Sequence, residues 1–395
     1  GQAKTIEQLT TQGVCADTEE QLDQDLAPWE STGGVITEEI VRDMASEAAW
    51  SRYCNRMIIV NNSLYIKFAY QDQGHPSTAN GRKWYTLQLI ETVTSVLSRV
   101  RVPDVDVCVA EEGPQVLRGG NQPVFAATRS TAHMDILVPD LFFRYWETVP
   151  QDVPHPWYKP PMNFASKAAG GNTLNDEGGV GVSWSQRIPK VYWRGSVDEW
   201  AMNARGRLCR MATRRPDLFD VQPLRVVGRA LHLWNMFSDA EMLPFEAAIR
   251  RGGGGVQVDT NEMLSYKFVI NIHGNGNDWS NRFRMLLSSG AVVFKQESSL
   301  FEFWERDLEP FVHYVPVKAD FSDLIEKVEW TFANDDLARN ISSNALKFVK
   351  QNLNLNRIQC YWARLLTRYS ALQEFKPQVP EDAVRVANLG SNLWL

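Results

Sequence analysis

Two stretches of this chain carry residues whose types and spacing suit phosphate binding. In "NIHGNGNDWSNRFRMLLSSGAVVFK", residues 271–295, a loop holding Gly274 leads through Ser280 to Arg282. Glycines let backbone approach a ligand closely, a helix N-terminus presents unbonded N–H groups, and arginine offers a planar fork to a phosphate. In "KVYWRGSVDEW", residues 190–200, Arg194, Gly195 and Ser196 close an apolar run. Arg205 follows roughly two and a half helical turns later. Either stretch alone also fits an ordinary connection with solvated arginines. Two such units in one half of the chain favour a diphosphate site.

A third stretch offers carboxylates. In "VPDVDVCVAEEGPQV", residues 102–116, Glu111 and Glu112 leave a strand just before a Gly-Pro turn. Glycoside hydrolysis needs two carboxyl groups flanking one bond, roughly 5 to 9 Å apart. Neighbours leaving a strand point to opposite faces, which disfavours a hydrolase, although one glutamate can still act as a general base. Asp104-Val105-Asp106 has the D-x-D form of some metal–nucleotide sites, but it opens a strand with valine at alternate positions and is read as structural. Cys15, Cys54, Cys108, Cys209 and Cys360 show no C-x-x-C spacing, so no zinc site is expected. Their odd number fits a reducing compartment, or one or two disulfides with a spare thiol.

The elements that position these residues follow from periodicity. "SYKFVI" and "GAVVFK" read as buried strands around "SNRFRMLLSS", a helix with Ser280 as its N-cap. In "KVYWRGS" the strand is expected to turn at Gly195, because Ser196-Val197-Asp198-Glu199 is a capping-box pattern. "LRVVG" and "FVHYVPV" read as further strands, with helices from there to about residue 375. In the first half, "ITEEIVRDMASEAAW" reads as a helix with Thr37 as its cap and Ile40, Val41 and Met44 on one side. "RMIIVNNSLYIKF" reads as a hairpin turning at Asn61-Asn62, and "KWYTLQLIETVTSVLSRV" as a long helix. Strands alternating with helices in both halves predict two α/β domains, each around a largely parallel sheet. Ligands of such sheets sit at the carboxyl ends of the strands, where the opening loop lies.

Bulk properties narrow the class. A length of 395 residues favours two domains over one core. The net charge of −6 argues against a nucleic-acid partner, which needs a basic surface. Fourteen tryptophans suit either a carbohydrate cleft or a large aromatic core. No segment has the ~20 apolar residues of a membrane span. The start, "GQAKTIEQLT", resembles a mature end, so membrane contact is expected only through an N-terminal anchor absent from this sequence. Asn61-Asn62-Ser63 and Asn340-Ile341-Ser342 are glycosylation sequons that permit secretion.

Taken together, "KVYWRGS", "SYKFVINIHGNG…WSNRFRMLLSSGAVVFK" and "LEPFVHYVPVKADFSDLIEKVEW" resemble glycosyltransferase family 90, the capsule-associated protein and protein O-glucosyltransferase group. "DLAPWESTGGVITEEIVRDM", "VPDVDVCVAEEGPQ", "MDILVPDLFF" and "IQCYW" extend the likeness over residues 24–375. It implies an α/β chain of GT-B type, with two Rossmann-like domains facing a cleft and C-terminal helices packing back on the first. The expected limits are 1–185 for the acceptor-side domain, 186–355 for the nucleotide-sugar domain and 356–395 for the returning helices. The implied reaction is an inverting, metal-independent transfer of glucose or xylose from UDP-glucose or UDP-xylose to a hydroxyl of a protein or glycan. No cofactor is expected. The alternatives are a non-catalytic UDP-sugar- or carbohydrate-binding protein and a glycoside hydrolase.

Residue by residue, the resemblance assigns donor binding to Ser196, Arg205 and Arg282, with Arg194, Gly195, Gly274 and Ser280 around them. The catalytic base falls on Glu112, where the family has aspartate in a segment one residue longer. A family disulfide falls on Cys15 and Cys360. A second falls on Ser265 and Ser289, so both partners are missing together. That pattern implies the lumen of the secretory pathway.

Overall fold

The computed structural model describes residues 4–15, 19–31, 35–44, 54–67, 90, 92–110, 122–139, 182–197, 202–226, 262–274, 280 and 282–386. By compactness the chain divides into two units. The first comprises Gly1–Val149, Ser299–Arg306 and Leu353–Leu395; the second comprises Pro150–Ser298 and Asp307–Asn352. These limits differ from the expected 1–185, 186–355 and 356–395: the first boundary follows Val149, the return to the first unit starts at Leu353, and Ser299–Arg306 also joins the first unit. Contacts remote in sequence draw that segment in. Arg129 and Phe301 exchange backbone hydrogen bonds of 3.1 and 2.9 Å, and Arg306 donates to Glu20 at 2.9 Å.

In the first unit, α1 (Ile6–Thr11) starts with a capping box between Thr5 and Gln8. After α2 (Glu20–Glu30), α3 (Glu38–Met44) follows Thr37, whose hydroxyl accepts the Ile40 N–H at 3.2 Å. β1 (Cys54–Val60) and β2 (Ser63–Lys67) form the expected hairpin. Asn61 and Asn62 turn it with φ of 50° and 58°, a left-handed pair that asparagine tolerates. Residues 92–99 are helical (α4), and β3 (Val105–Ala110), β4 (Val124–Ala126) and β5 (Ile136–Leu137) complete this part. The sheet is mixed rather than largely parallel. β1 runs antiparallel to both β2 and β3, and only the β3–β4–β5 pairings are parallel. A two-residue hairpin forces the first of these antiparallel pairs.

The D-x-D carboxylates are committed to this sheet. Asp104 accepts the Asn61 N–H at 2.7 Å and so holds the hairpin turn. Asp106 is fully buried against Arg56, whose Nε donates at 2.9 Å. Nearby, Asp25 on α2 is equally buried. It accepts from the Leu137 N–H at 2.8 Å and pairs with Arg129 at 2.6 Å, which binds α2 to β5. Burial pushes its carboxyl up to about 6, against the lowering pull of Arg129.

The second unit's sheet is parallel throughout, in the order β10-β9-β8-β6-β7. Its strands are β6 (Ile188–Val197), β7 (Phe219–Val226), β8 (Tyr266–Asn271), β9 (Val292–Gln296) and β10 (Val315–Val317). The helices are α5 (Arg207–Arg214), α6 (Arg282–Leu287), α7 (Leu324–Ala333) and α8 (Asp335–Asn352). Val191, Trp193, Phe268, Ile270, Val292 and Phe294 bury one face of the sheet in a single apolar core. Of "FVHYVPV" only the last three residues are strand. Before them the backbone turns, with Phe311 at φ 62°. Trp29, Trp184, Trp193, Trp304 and Trp362 are all buried, so these tryptophans serve the core.

Arg187 braces this sheet from below. Its buried guanidinium donates to the carbonyls of Tyr266, Ser289 and Gly290 at 3.3, 3.2 and 2.6 Å. Gly290 has φ +71°, and a Cβ there would stand 2.9 Å from Arg187 Nη2. The clamp thus ties Tyr266, the residue after Ser265, to Ser289, beside the two positions on which the resemblance implies a bridge.

The chain then returns to the first unit through α9 (Leu355–Leu372) and the short β11 (Val384–Arg385) beside β2. Cys15 and Cys360 form the disulfide implied by the resemblance, with Cα atoms 5.6 Å apart. A second disulfide joins Cys54 on β1 to Cys108 on β3. Cys209 is the remaining thiol, and burial pushes it up to about 12, so it stays protonated at neutral pH.

Candidate functional site

The second unit carries a notch at the carboxyl edge of its sheet. Pairing of β6 with β8 reaches only Tyr192 and Val269, whereas pairing with β7 continues to Val197. β6 therefore outruns β8, contrary to the turn expected at Gly195, and its register shifts between Gly195 and Ser196. Carbonyls of residues two apart on a strand point the same way. Those of Arg194 and Ser196 lack strand partners on the β8 side and are met by two arginines instead.

Arg205 donates to the Ser196 carbonyl at 2.5 Å and to the His273 carbonyl at 2.8 Å, bridging the ends of the two strands. It lies in a π-helical turn, Met202–Gly206, ahead of α5, and its guanidinium stands 5.9 Å from the Trp193 ring centroid. That ring crosses Gly195 so closely that a Cβ there would lie 2.5 Å from it. Glycine is therefore a steric requirement at this point. Arg282 donates to the Arg194 carbonyl at 3.0 Å. The two anchor carbonyls lie about 7 Å apart along the strand. Carbonyl partners orient a guanidinium without cancelling its charge.

Arg194 is engaged by two carboxylates. Its guanidinium pairs with Asp220 at 2.9 Å and Glu262 at 3.2 Å, over the Tyr192 ring at 4.5 Å. Tyr192 donates to Glu262 at 3.0 Å, and Tyr266 donates to Asp220. Burial raises the Asp220 carboxyl, but the bonds from Tyr266 and Arg194 outweigh this and hold it below the usual range. Two carboxylates thus neutralise Arg194, and it contributes to the notch through its carbonyl. Ser280 differs from the expected N-cap. Its hydroxyl accepts the Arg282 N–H at 3.4 Å, one position further from the helix than a cap. α6 has six residues, too few for a strong dipole.

Gly274 follows His273 at the rim of the notch. Glu112 and its neighbour Glu111 lie outside the described residues. Residues that the motifs did not single out complete the support. The Gln296 side chain accepts the His273 N–H at 3.1 Å and donates to the Ala319 carbonyl at 2.7 Å. His273 Nε2 meets the Glu297 carbonyl at 2.7 Å. The only sequence signal for Asp220 and Glu262 was their charge, since their partner Arg194 is 26 and 68 residues away. Among the described residues, no three His, Cys, Asp or Glu side chains converge as metal ligands would.

Known proteins are similar to this sequence along most of its length. Protein O-glucosyltransferase 1 of Rattus norvegicus is 26% identical over 92% of this chain and 82% of its own. The O-glucosyltransferase rumi of Drosophila pseudoobscura pseudoobscura is 26% identical over 91% and 78%. Among solved structures, Anabaena HepE in complex with UDP and glucose has a TM-score of 0.38 at 12% identity, over 62% of this chain and 63% of its own. That score is low, and the assignment rests on sequence. The model of glycosyl transferase family 90 matches residues 10–391, and the chain belongs to that family.

Proposed function

We propose that this chain transfers glucose or xylose from a UDP-sugar to a hydroxyl of a protein or glycan acceptor, with inversion and without a metal ion. The observation that carries the reading is the pair of guanidiniums, Arg205 and Arg282, held by strand-end carbonyls in the notch of the second unit. Two arginine forks anchored at neighbouring strand ends can flank one diphosphate, and charge-assisted contacts of this kind replace the cation that many nucleotide sites require. Membership of family 90 and the likeness to protein O-glucosyltransferases support a glycosyl donor.

In the proposed reaction the acceptor oxygen bonds to the anomeric carbon as the bond from that carbon to the β-phosphate oxygen breaks. Negative charge accumulates on the departing UDP, where Arg205 and Arg282 stabilise it more than in the ground state. The acceptor proton passes to a carboxylate on the opposite face, the role proposed for Glu112. Two disulfides support a lumenal, oxidising compartment. No described helix is long and apolar enough to cross a membrane.

The test is direct. UDP should bind in a calorimetric titration with EDTA present. A screen of UDP-sugars against protein and glycan acceptors, with linkage analysis, should then show transfer with inverted configuration. Activity that vanished with EDTA and returned with manganese would overturn the metal-free reading. UDP binding without any transfer would favour a binding protein.

A further inference from the structure

Asn271, the last residue of β8, carries a buried acceptor that the fold does not use. The residue is 6% exposed, and its carboxamide oxygen accepts no hydrogen bond from any described residue. Buried polar groups of folded proteins are paired almost without exception, so an unpaired one asks for a partner that is not part of the chain. Its place in the sheet narrows that partner. In register Asn271 pairs with Lys295 of β9, and continuing the Tyr192–Val269 pairing sets Arg194 beside it on β6. Parallel neighbours share a face, so Arg194, Asn271 and Lys295 form a polar row opposite the apolar core. Arg282 is tied to the carbonyl on one side of Asn271, and Arg205 to the carbonyl of His273 two residues beyond it.

The diphosphate of a nucleotide sugar has no hydrogen to give at neutral pH. The orphan oxygen must therefore face a hydroxyl or an N–H of the same donor. Counted along the covalent chain from the β-phosphate, the first hydroxyl is that on C2 of the sugar, next to the anomeric carbon. The ribose hydroxyls and the uracil N–H lie further from the bond that breaks. Resting on the donor reading above, we infer that Asn271 Oδ1 accepts a hydrogen bond from the sugar 2-hydroxyl and makes the site selective for donors that keep it. Glucose and xylose present this group alike, so the contact serves both and rejects 2-deoxy sugars.

The experiment compares the wild-type chain with Asn271→Leu, close in size but without the acceptor, and with Asn271→Asp, which keeps one. Each is titrated with UDP, UDP-glucose and UDP-2-deoxyglucose, and with UDP-xylose beside its 2-deoxy counterpart. The wild type should bind the 2-deoxy donors about tenfold more weakly, the scale of one hydrogen bond. Asn271→Leu should bind UDP as the wild type does and treat the 2-hydroxy and 2-deoxy donors alike. Asn271→Asp should keep the preference. The ligand-free leucine variant should melt no lower than the wild type, because it removes an unsatisfied polar group. Equal binding of both donor types by the wild type, or undiminished discrimination by Asn271→Leu, overturns the inference alone. So does a parallel loss of UDP affinity and melting temperature in Asn271→Leu, the mark of a structural role. A wild type that binds no UDP overturns the donor reading and this inference with it.

Discussion

Replacing Arg282 with methionine removes a positive charge from the notch while keeping an unbranched apolar stem. The guanidinium spans from α6 to the Arg194 carbonyl at 3.0 Å, so the loss has two parts. One is the proposed contact with the phosphate. A hydrogen bond to a charged group contributes about 1.5 to 3 kcal/mol, equivalent to a 10- to 150-fold weaker UDP complex. The other is the carbonyl left unpaired, which costs the free protein about 1 kcal/mol of stability. Calorimetry with UDP and with uridine separates them, because uridine lacks the diphosphate. UDP affinity should fall by at least tenfold and uridine affinity by less than twofold. Arg282→Lys keeps the charge but not the planar fork and should fall between the parent and methionine. A UDP affinity within threefold of the parent, or an equal loss for uridine, would refute a diphosphate role for Arg282.

Glu112→Gln should lower turnover by ~10² or more at nearly unchanged UDP affinity, with Glu111→Gln doing much less; the opposite ranking would move the base to Glu111. Replacing Cys15 and Cys360 by serine should lower stability by about 5 kcal/mol, since the bridge closes a separation of 345 residues. Finding both thiols free by mass spectrometry of the unreduced protein would remove the basis for this. Asp25 has a folded value near 6 against an ordinary 3.8, so between those values the folded state holds the extra proton. Stability from this group therefore increases as pH falls from about 6 to 4, by roughly 3 kcal/mol in total. Denaturant titrations should show the wild type gaining on Asp25→Asn across that window. Parallel pH profiles would mean that Asp25 is not shifted.

Much of the local architecture follows from residue order alone. Two asparagines between β-rich runs determine the Asn61-Asn62 hairpin, because few residue pairs tolerate two positive φ angles in succession. Alternation of apolar runs and helical spacing over residues 266–296 determines β8, α6 and β9, since burial leaves its period in the sequence. The family, and with it the pairing of Cys15 with Cys360, is written in motifs spread along the whole chain. What periodicity does not carry is the identity of a distant partner. Only the folded chain sets Asp220 and Glu262 against Arg194. Only the sheet's uneven pairing lets β6 outrun β8, so that freed carbonyls can hold Arg205 and Arg282. Likewise the antiparallel half of the first sheet and the excursion of Ser299–Arg306 depend on contacts between remote segments. The sequence determines which residues want to be buried or bent; tertiary packing decides which charge meets which, because Coulomb and hydrogen-bond partners are chosen in space.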